Sequence, residues 1–108
     1  MVSVKDKIEA EEHNGRAVRL WPEGTNYKAY ERSAYLMGML ASDLEPRRQY
    51  MQAVGSDVVT IEFPQSVLEK LYVSRAPATD GAEVIQLPIV VDEQIFQLWR
   101  EAISLCFE

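Results

Sequence analysis

Chain-breaking residues recur so often in this sequence that they set the scale of everything it can build. Pro22-Glu23-Gly24, Ser42-Asp43-Leu44-Glu45-Pro46, Gly55-Ser56, Pro64, the stretch from Pro77 to Asp80-Gly81, and Pro88 divide it into short segments. Proline lacks a backbone donor and glycine accepts positive φ, so periodic structure stops at each of them. Aliphatic runs such as Ile89-Val90-Val91 fall far short of the ~20 apolar residues that span a bilayer. With 108 residues and 47% hydrophobic side chains, the chain has the size of one domain and enough apolar mass for a core.

Each segment carries its own periodicity. Met1–Asn14 is charged and reads as a flexible segment, either a frayed helix or a disordered tail, ahead of a single domain over residues 15–108. Ala17-Val18-Arg19-Leu20-Trp21 alternates as a strand does. Thr25–Ala41 is expected to be a helix, because Tyr27, Tyr30, Ala34, Met37, Gly38 and Ala41 recur at steps of three and four, with Thr25 or Asn26 as its cap. Arg48–Val54 and Asp57–Phe63 read as two strands joined by a tight Gly55-Ser56 turn. Ser66-Val67-Leu68-Glu69 has capping-box spacing for a short helix. Tyr72-Val73-Ser74 is expected to open a strand, Arg75–Gly81 to be a loop, and Val84–Leu87 to be an edge strand ending at Pro88. Asp92 caps a last helix with Ile95, Trp99, Ala102, Ile103 and Cys106 on one face and Phe96 beside them. This alternation of strands and helices predicts an α/β (α+β) fold, a small mixed β-sheet with peripheral helices.

Charge and cysteine content narrow the setting. The formal net charge is −6. Eight Lys/Arg balance eight Asp/Glu in Met1–Ser56, whereas three face nine in Asp57–Glu108. Nucleic-acid affinity rests on Lys/Arg displacing counterions, so nucleic acid is disfavoured as a partner, though a local basic face in the first half keeps it open. The single Cys106 in Ile103-Ser104-Leu105-Cys106-Phe107 forms no disulfide framework and reads as a small buried hydrophobe. The N-terminus lacks a signal peptide's apolar core, and the expected location is the cytoplasm, with no membrane association.

Catalytic patterns are missing. The five glycines form no phosphate loop, and one His and one Cys cannot build a zinc site of the usual kind. His13 lies beside the Asn14-Gly15 turn signal, a poor place for a general base. No catalytic, cofactor-binding or metal residue is assigned, and the expectation is a non-enzyme. Tyrosine is the richer inventory: Tyr27, Tyr30 and Tyr35 crowd the first long segment, with Lys28 and Arg32 four residues apart. Rings interleaved with cations stack on bases and neutralise phosphates. The competing reading makes Tyr27, Tyr30 and Ala34 a core stripe and Lys28-Glu31-Arg32 a solvated face.

Ala17-Val18-Arg19-Leu20-Trp21-Pro22-Glu23-Gly24-Thr25-Asn26-Tyr27-Lys28-Ala29-Tyr30-Glu31-Arg32-Ser33-Ala34 resembles the opening of the N-terminal mismatch-recognition domain of MutS. There a hydrophobic strand runs into Gly-Asp-Phe-Tyr-Glu-x-Phe. Gly24, Tyr27, Tyr30 and Ala34 fall at matching or similar positions. Val59-Thr60-Ile61-Glu62-Phe63-Pro64-Gln65-Ser66-Val67-Leu68-Glu69-Lys70-Leu71 is similar to a later strand of that family entering a Val-Pro-x-x-x-Leu helix. The resemblance implies a mixed-sheet domain, here as a free-standing module. In that family an aromatic stacks on the mispaired base and a glutamate bonds to it; Asn26 and Lys28 stand at those positions. An amide does not wedge into a base stack, and an ammonium donates where a carboxylate accepts.

The expected function is an accessory or binding module that uses the Trp21–Arg32 junction, with contact residues Arg19, Trp21, Asn26, Tyr27, Lys28 and Arg32. A protein partner or a homodimer through the last helix leads, ahead of weak nucleic-acid contact. The alternatives are a metal- or small-ligand-dependent enzyme on a reused fold, and an acidic interaction protein that targets a basic partner.

Overall fold

The computed structural model describes residues 2–12, 14–71 and 73–106, so His13 and Tyr72 lie outside the described residues. The fold is of the mixed α+β kind. Among the described residues seven strands form one sheet, ordered β5-β6-β1-β2-β4-β3-β7. The strands are β1 (Ala17–Glu23), β2 (Asn26–Tyr30), β3 (Arg47–Met51), β4 (Ser56–Pro64), β5 (Ala76–Pro77), β6 (Glu83–Gln86) and β7 (Leu105–Cys106). Every pairing is antiparallel except β3 with β7, which is parallel. The helices are α1 (Val4–Glu11), α2 (Glu31–Leu40), α3 (Ser66–Glu69) and α4 (Glu93–Ala102).

Alternation along the strands sorts side chains onto two faces. Val18, Leu20, Tyr27, Ala29, Val59, Ile61, Phe63 and Ile85 turn toward α2 and α4 and form the main core with Ala34, Leu36, Met37 and Phe96. A smaller cluster of Trp21, Tyr30, Val58 and Ala82 lies on the opposite face, under Val2, Val4 and Ile8 from the α1 end of the chain.

The largest departure from expectation lies in Thr25–Ala41. Residues Asn26–Tyr30 are a strand, and helix α2 begins only at Glu31. Gly24, with φ of 64°, and Thr25 form a two-residue hairpin between Glu23 and Asn26, the glycine in the first central position as a type II′ turn requires. Tyr27 and Tyr30 satisfy a helical spacing, but Tyr27 and Ala29 equally satisfy a strand's. Pairing to β1 on one side and β4 on the other settled the choice, as tertiary context commonly overrides local preference. Thr25 and Asn26 therefore cap nothing. The cap position is Tyr30, whose side chain makes no capping bond.

A buried carboxylate from another helix replaces that cap. Glu11, 1% exposed, accepts from the Ser33 backbone N–H at 2.7 Å and from the Ser33 hydroxyl at 2.7 Å. Asn14 Nδ2 donates to it at 3.2 Å. One first-turn amide of α2 is thus satisfied by a carboxyl group from outside the helix. Within the charged N-terminal segment Val4–Glu11 is an α-helix, and Val4 and Ile8 pack against the sheet. Ser3 and Asp6 form a reciprocal capping box at its start.

The strand-to-helix switch is strained and clamped. Glu31 has φ of 48°, in the left-handed region that non-glycine residues avoid. Arg100 on α4 grips it through Nε–Oε2 at 2.9 Å and Nη2–Oε1 at 3.2 Å. The same guanidinium reaches Asp57 Oδ2 at 3.3 Å and donates to the Asp57 carbonyl, while Arg48 pairs with Asp57 at 2.5 Å. The Arg48 hydrogen bond, ahead of the opposing effect of desolvation, holds the Asp57 carboxyl below its usual range.

Smaller corrections follow from turn chemistry. The β3–β4 connection has four residues, with Met51 paired to Ser56 and Gly55 at φ 79° closing it, so Gly55-Ser56 is not a two-residue turn. The cap position of α3 is Gln65, with no side-chain capping bond, so Ser66 and Glu69 form no capping box. β6 is not an edge strand: β5, inside the expected loop, pairs with it and takes the edge, where Pro77 is tolerated. Val73 and Ser74 form no strand. On α4 the Asp92 cap holds, accepting from Gln94 and Ile95 amides at 3.0 and 3.2 Å. Its inward face, however, is Phe96, Trp99 and Ile103, whereas Ile95 and Ala102 are exposed. Cys106 lies past the helix, its backbone paired with Gln49.

Three outcomes are expected. Arg100→Met leaves Glu31 uncompensated at a strained site and lowers stability by about 2 kcal/mol in urea denaturation. Glu93→Gln, at a largely exposed pair, costs less than about 1 kcal/mol. Burial, ahead of the opposing Ser33 and Asn14 bonds, raises the Glu11 carboxyl from 4.5 to about 7. The folded state then binds a proton that the unfolded state has released, so this carboxyl's stabilisation is complete below pH 4.5. It is lost as pH rises through about 7. Glu11→Gln removes this slope: the stability difference between wild type and variant moves by about 3 kcal/mol between pH 4 and pH 8, read from paired urea titrations.

Candidate functional site

The sheet face away from α2 and α4 is only half covered. The α1 end of the chain packs over Trp21, Tyr30 and Val58. The other half is an open groove of about 360 Å³ lined by Asn26 and Lys28 of β2, Thr60, Glu62 and Pro64 of β4, and Glu45, Arg47 and Gln49 of the β3 side. Strand register explains the grouping. Lys28 lies directly opposite Glu62, Asn26 opposite Pro64, and Arg47 opposite Thr60, and directly opposed residues of an antiparallel pair share a face.

The groove is polar and carries both signs of charge. Lys28 and Arg47 supply cations, Glu45 and Glu62 supply carboxylates, and Asn26, Gln49 and Thr60 add neutral donors and acceptors. Asn26 Nδ2 donates to Glu62 Oε2 at 2.8 Å, orienting that carboxylate across the two strands.

Beside the groove runs a row of alternating cations and rings. Arg19 lies 5.5 Å from the Trp21 centroid; Lys7 lies 5.4 Å from Trp21 and 5.8 Å from Tyr30; Lys28 lies 5.6 Å from Tyr30. Each such contact contributes about 0.5–1 kcal/mol. Acids occupy several of these cations: Arg19 pairs with Asp80, and Lys7 with Glu23 at 3.8 Å. Trp21 and Tyr30 are buried, so the row holds α1 on the sheet and presents no ring face to solvent. Burial, reinforced by Glu23, pushes the Tyr30 hydroxyl well above its ordinary range. Arg19 Nε and Trp21 Nε1 are buried without a hydrogen-bond partner among the described residues.

Of the six contact residues expected from sequence, the sheet gathers four. Arg19, Trp21, Asn26 and Lys28 share the second face, with Asn26 and Lys28 in the groove itself. Tyr27 is 6% exposed and belongs to the main core, 6.1 Å from Phe63. Arg32 leaves for α4, where it pairs with Glu93, donates to the Glu11 carbonyl at 3.0 Å and lies 4.9 Å over Phe96. The Glu93 hydrogen bond holds the Arg32 guanidinium above its ordinary range. The helical reading of Thr25–Ala41 had put Tyr27, Lys28 and Arg32 on one element; splitting it into β2 and α2 separates them. Glu45, Arg47, Gln49, Thr60 and Glu62 were missed. Thr60 and Glu62 alternate with Val59, Ile61 and Phe63, a period-2 signal that marks an outward row, but only the register of three strands joins that row to Lys28.

Among the described residues no three His, Cys, Asp or Glu side chains come together in a way that would hold a metal ion, and no helix is long and apolar enough to cross a membrane. No family profile, curated protein or solved structure matches the chain.

The groove side chains are expected to be spare for stability. Lys28→Ala and Gln49→Ala each shift the unfolding free energy by under about 1 kcal/mol, whereas Tyr27→Ala, which empties a core position, costs about 3–5 kcal/mol. Urea melts of the three variants test the contrast.

Proposed function

We propose that this chain is a non-catalytic accessory module, built like the mismatch-recognition domain of MutS, that works in the cytoplasm and binds a protein partner through the open half of its sheet. The observation that carries the reading is the open, mixed-charge groove on the sheet around Lys28, Arg47, Gln49 and Glu62. Such a surface offers paired donors and acceptors to a polypeptide and sets specificity through complementary charge. The likeness to MutS draws support from position. Its two stretches, Ala17–Ala34 and Val59–Leu71, meet at the β2–β4 pairing, and the two substituted residues, Asn26 and Lys28, both face the groove.

A protein partner is favoured over nucleic acid for two reasons. Two carboxylates offset the two cations of the groove, which removes the counterion-release term that drives phosphate binding. Tyr27, Tyr30 and Trp21 are buried, so no stacking platform lies beside Lys28.

A photo-crosslinking residue at Gln49, used in cells, tests the proposal. Discrete crosslinks to one or a few proteins are expected, with yields reduced more than tenfold by Lys28→Glu and unchanged by Leu98→Gln on the far side of the domain. Duplex, mismatched and single-stranded DNA are expected to show no binding at low salt by fluorescence anisotropy. Salt-sensitive DNA binding abolished by Lys28→Ala with Arg47→Ala would transfer the groove to nucleic acid. A rise in melting temperature with Mg²⁺, Mn²⁺ or Zn²⁺ would favour the metal-dependent enzyme instead.

A further inference from the structure

Helix α1 rests on the same face of the sheet that holds the groove. Two rows of directly opposed residues run from under it into the groove: Trp21–Lys28–Glu62 and Tyr30–Thr60–Arg47. The rings at the covered ends of these rows are buried, whereas Lys28, Glu62, Thr60 and Arg47 line the open part. α1 meets the sheet through one stripe, Val4, Lys7, Ile8 and Glu11, at i, i+3, i+4 and i+7. Val4 and Ile8 pack on the Trp21–Tyr30 cluster. Lys7 lies over both rings and pairs with Glu23, and Glu11 takes the Ser33 amide and hydroxyl.

Three features make this contact one that opens. Eight residues are too few for a helix that stands alone in water, so α1 keeps its shape only while docked. Its apolar members are half-buried, and its one buried residue is Glu11, a carboxyl whose desolvation opposes its hydrogen bonds. Trp21 shares a hollow with Val2 and Lys7, and its indole N–H is buried without a hydrogen-bond partner among the described residues. An unpaired buried donor favours the state that returns it to water. Segments with few buried apolar contacts open ahead of global unfolding.

Granted the protein-binding reading of the groove, on which this rests, we propose that α1 is a displaceable strap, an internal stand-in for the partner. The partner polypeptide displaces it to reach Trp21 and Tyr30 together with the groove. The strap is itself the polypeptide that the covered half accepts, so it specifies what the partner brings there. That is two apolar residues one helical turn apart, as Val4 and Ile8 are, and a lysine that reaches Glu23 and the two rings. A face that is free only part of the time has its apparent affinity lowered by that fraction. The strap thereby holds off segments that match the groove alone.

Native-state hydrogen exchange on the intact protein tests the strap directly. The Ile8–Glu11 amides are expected to exchange together, about a hundredfold faster than those of β2 and β4. Exchange of α1 in step with the sheet overturns the strap and leaves the groove reading standing. The occupant is tested on Ile8→Asp, which loosens the strap and whose folding a circular-dichroism melt checks, with Lys7→Glu as a second loosened variant. A synthetic peptide of residues 2–12 is added at about 1–5 mM, the effective concentration of a tethered segment. It is expected to shift the Trp21 and Tyr30 amides of the loosened proteins at least tenfold more readily than those of wild type. The same peptide carrying Ile8→Asp shifts neither. Equal shifts with both peptides, or none with either, overturns the assigned occupant. In cells, Ile8→Asp is expected to raise crosslinking from Gln49 at least threefold. Crosslinks that Ile8→Asp leaves unchanged overturn the competition between strap and partner. Absence of crosslinks from both proteins instead overturns the groove reading, and hydrogen exchange then decides the strap by itself.

Discussion

The grip of Arg100 on Glu31 is where the parts of this fold meet. Glu31 sits at a strand-to-helix switch in a backbone conformation that its own side chain disfavours. The last helix supplies the guanidinium that holds it there and reaches on to Asp57 of β4. One residue thereby ties together the point at which α2 leaves the sheet, the seat of α4 across it, and the start of β4. All the groups involved are partly shielded from solvent, where charge-assisted bonds are stronger than at a fully hydrated surface. Glu11 plays a matching part from the other end of the chain, giving α2 the cap that Tyr30 cannot provide.

With α2 and α4 committed to one face, the second face is left to a single short helix. The α1 end of the chain covers the Trp21–Tyr30 half and leaves the Lys28–Glu62 half bare. The cation–ring row therefore works as structure, fastening α1 to the sheet. The polar groove next to it forms because β2, β4 and β3 present their outward rows without a layer above them.

Several of these features were legible before any fold was known. The strand beginning at Ala17, the β-branched strand around Val58–Ile61, the Asp92 cap, and the mixed α+β architecture all follow from local pattern. The capping box of α1 was equally present as Ser3-x-x-Asp6. Thr25–Ala41 was not legible, because Tyr27 and Tyr30 satisfy a helix's spacing while Tyr27 and Ala29 equally satisfy a strand's. Tyr27 and Arg32 were accordingly placed with Lys28, and the strand-helix break sent one into the core and the other to α4. Of the groove residues, only Asn26 and Lys28 were visible as candidates, since Arg47, Gln49, Thr60 and Glu62 reach them through pairings between strands distant in sequence.

By itself, then, the sequence determined the class of fold, the acidic second half and the Asp92 cap of the last helix, because these depend on composition or on interactions spanning a few positions. The tertiary structure decided which period Asn26–Tyr30 obeys, which carboxylate caps α2, which arginine steadies Glu31, and which half of the sheet stays open. Each of those choices compares local alternatives of nearly equal energy, and contacts from residues far along the chain tip the balance.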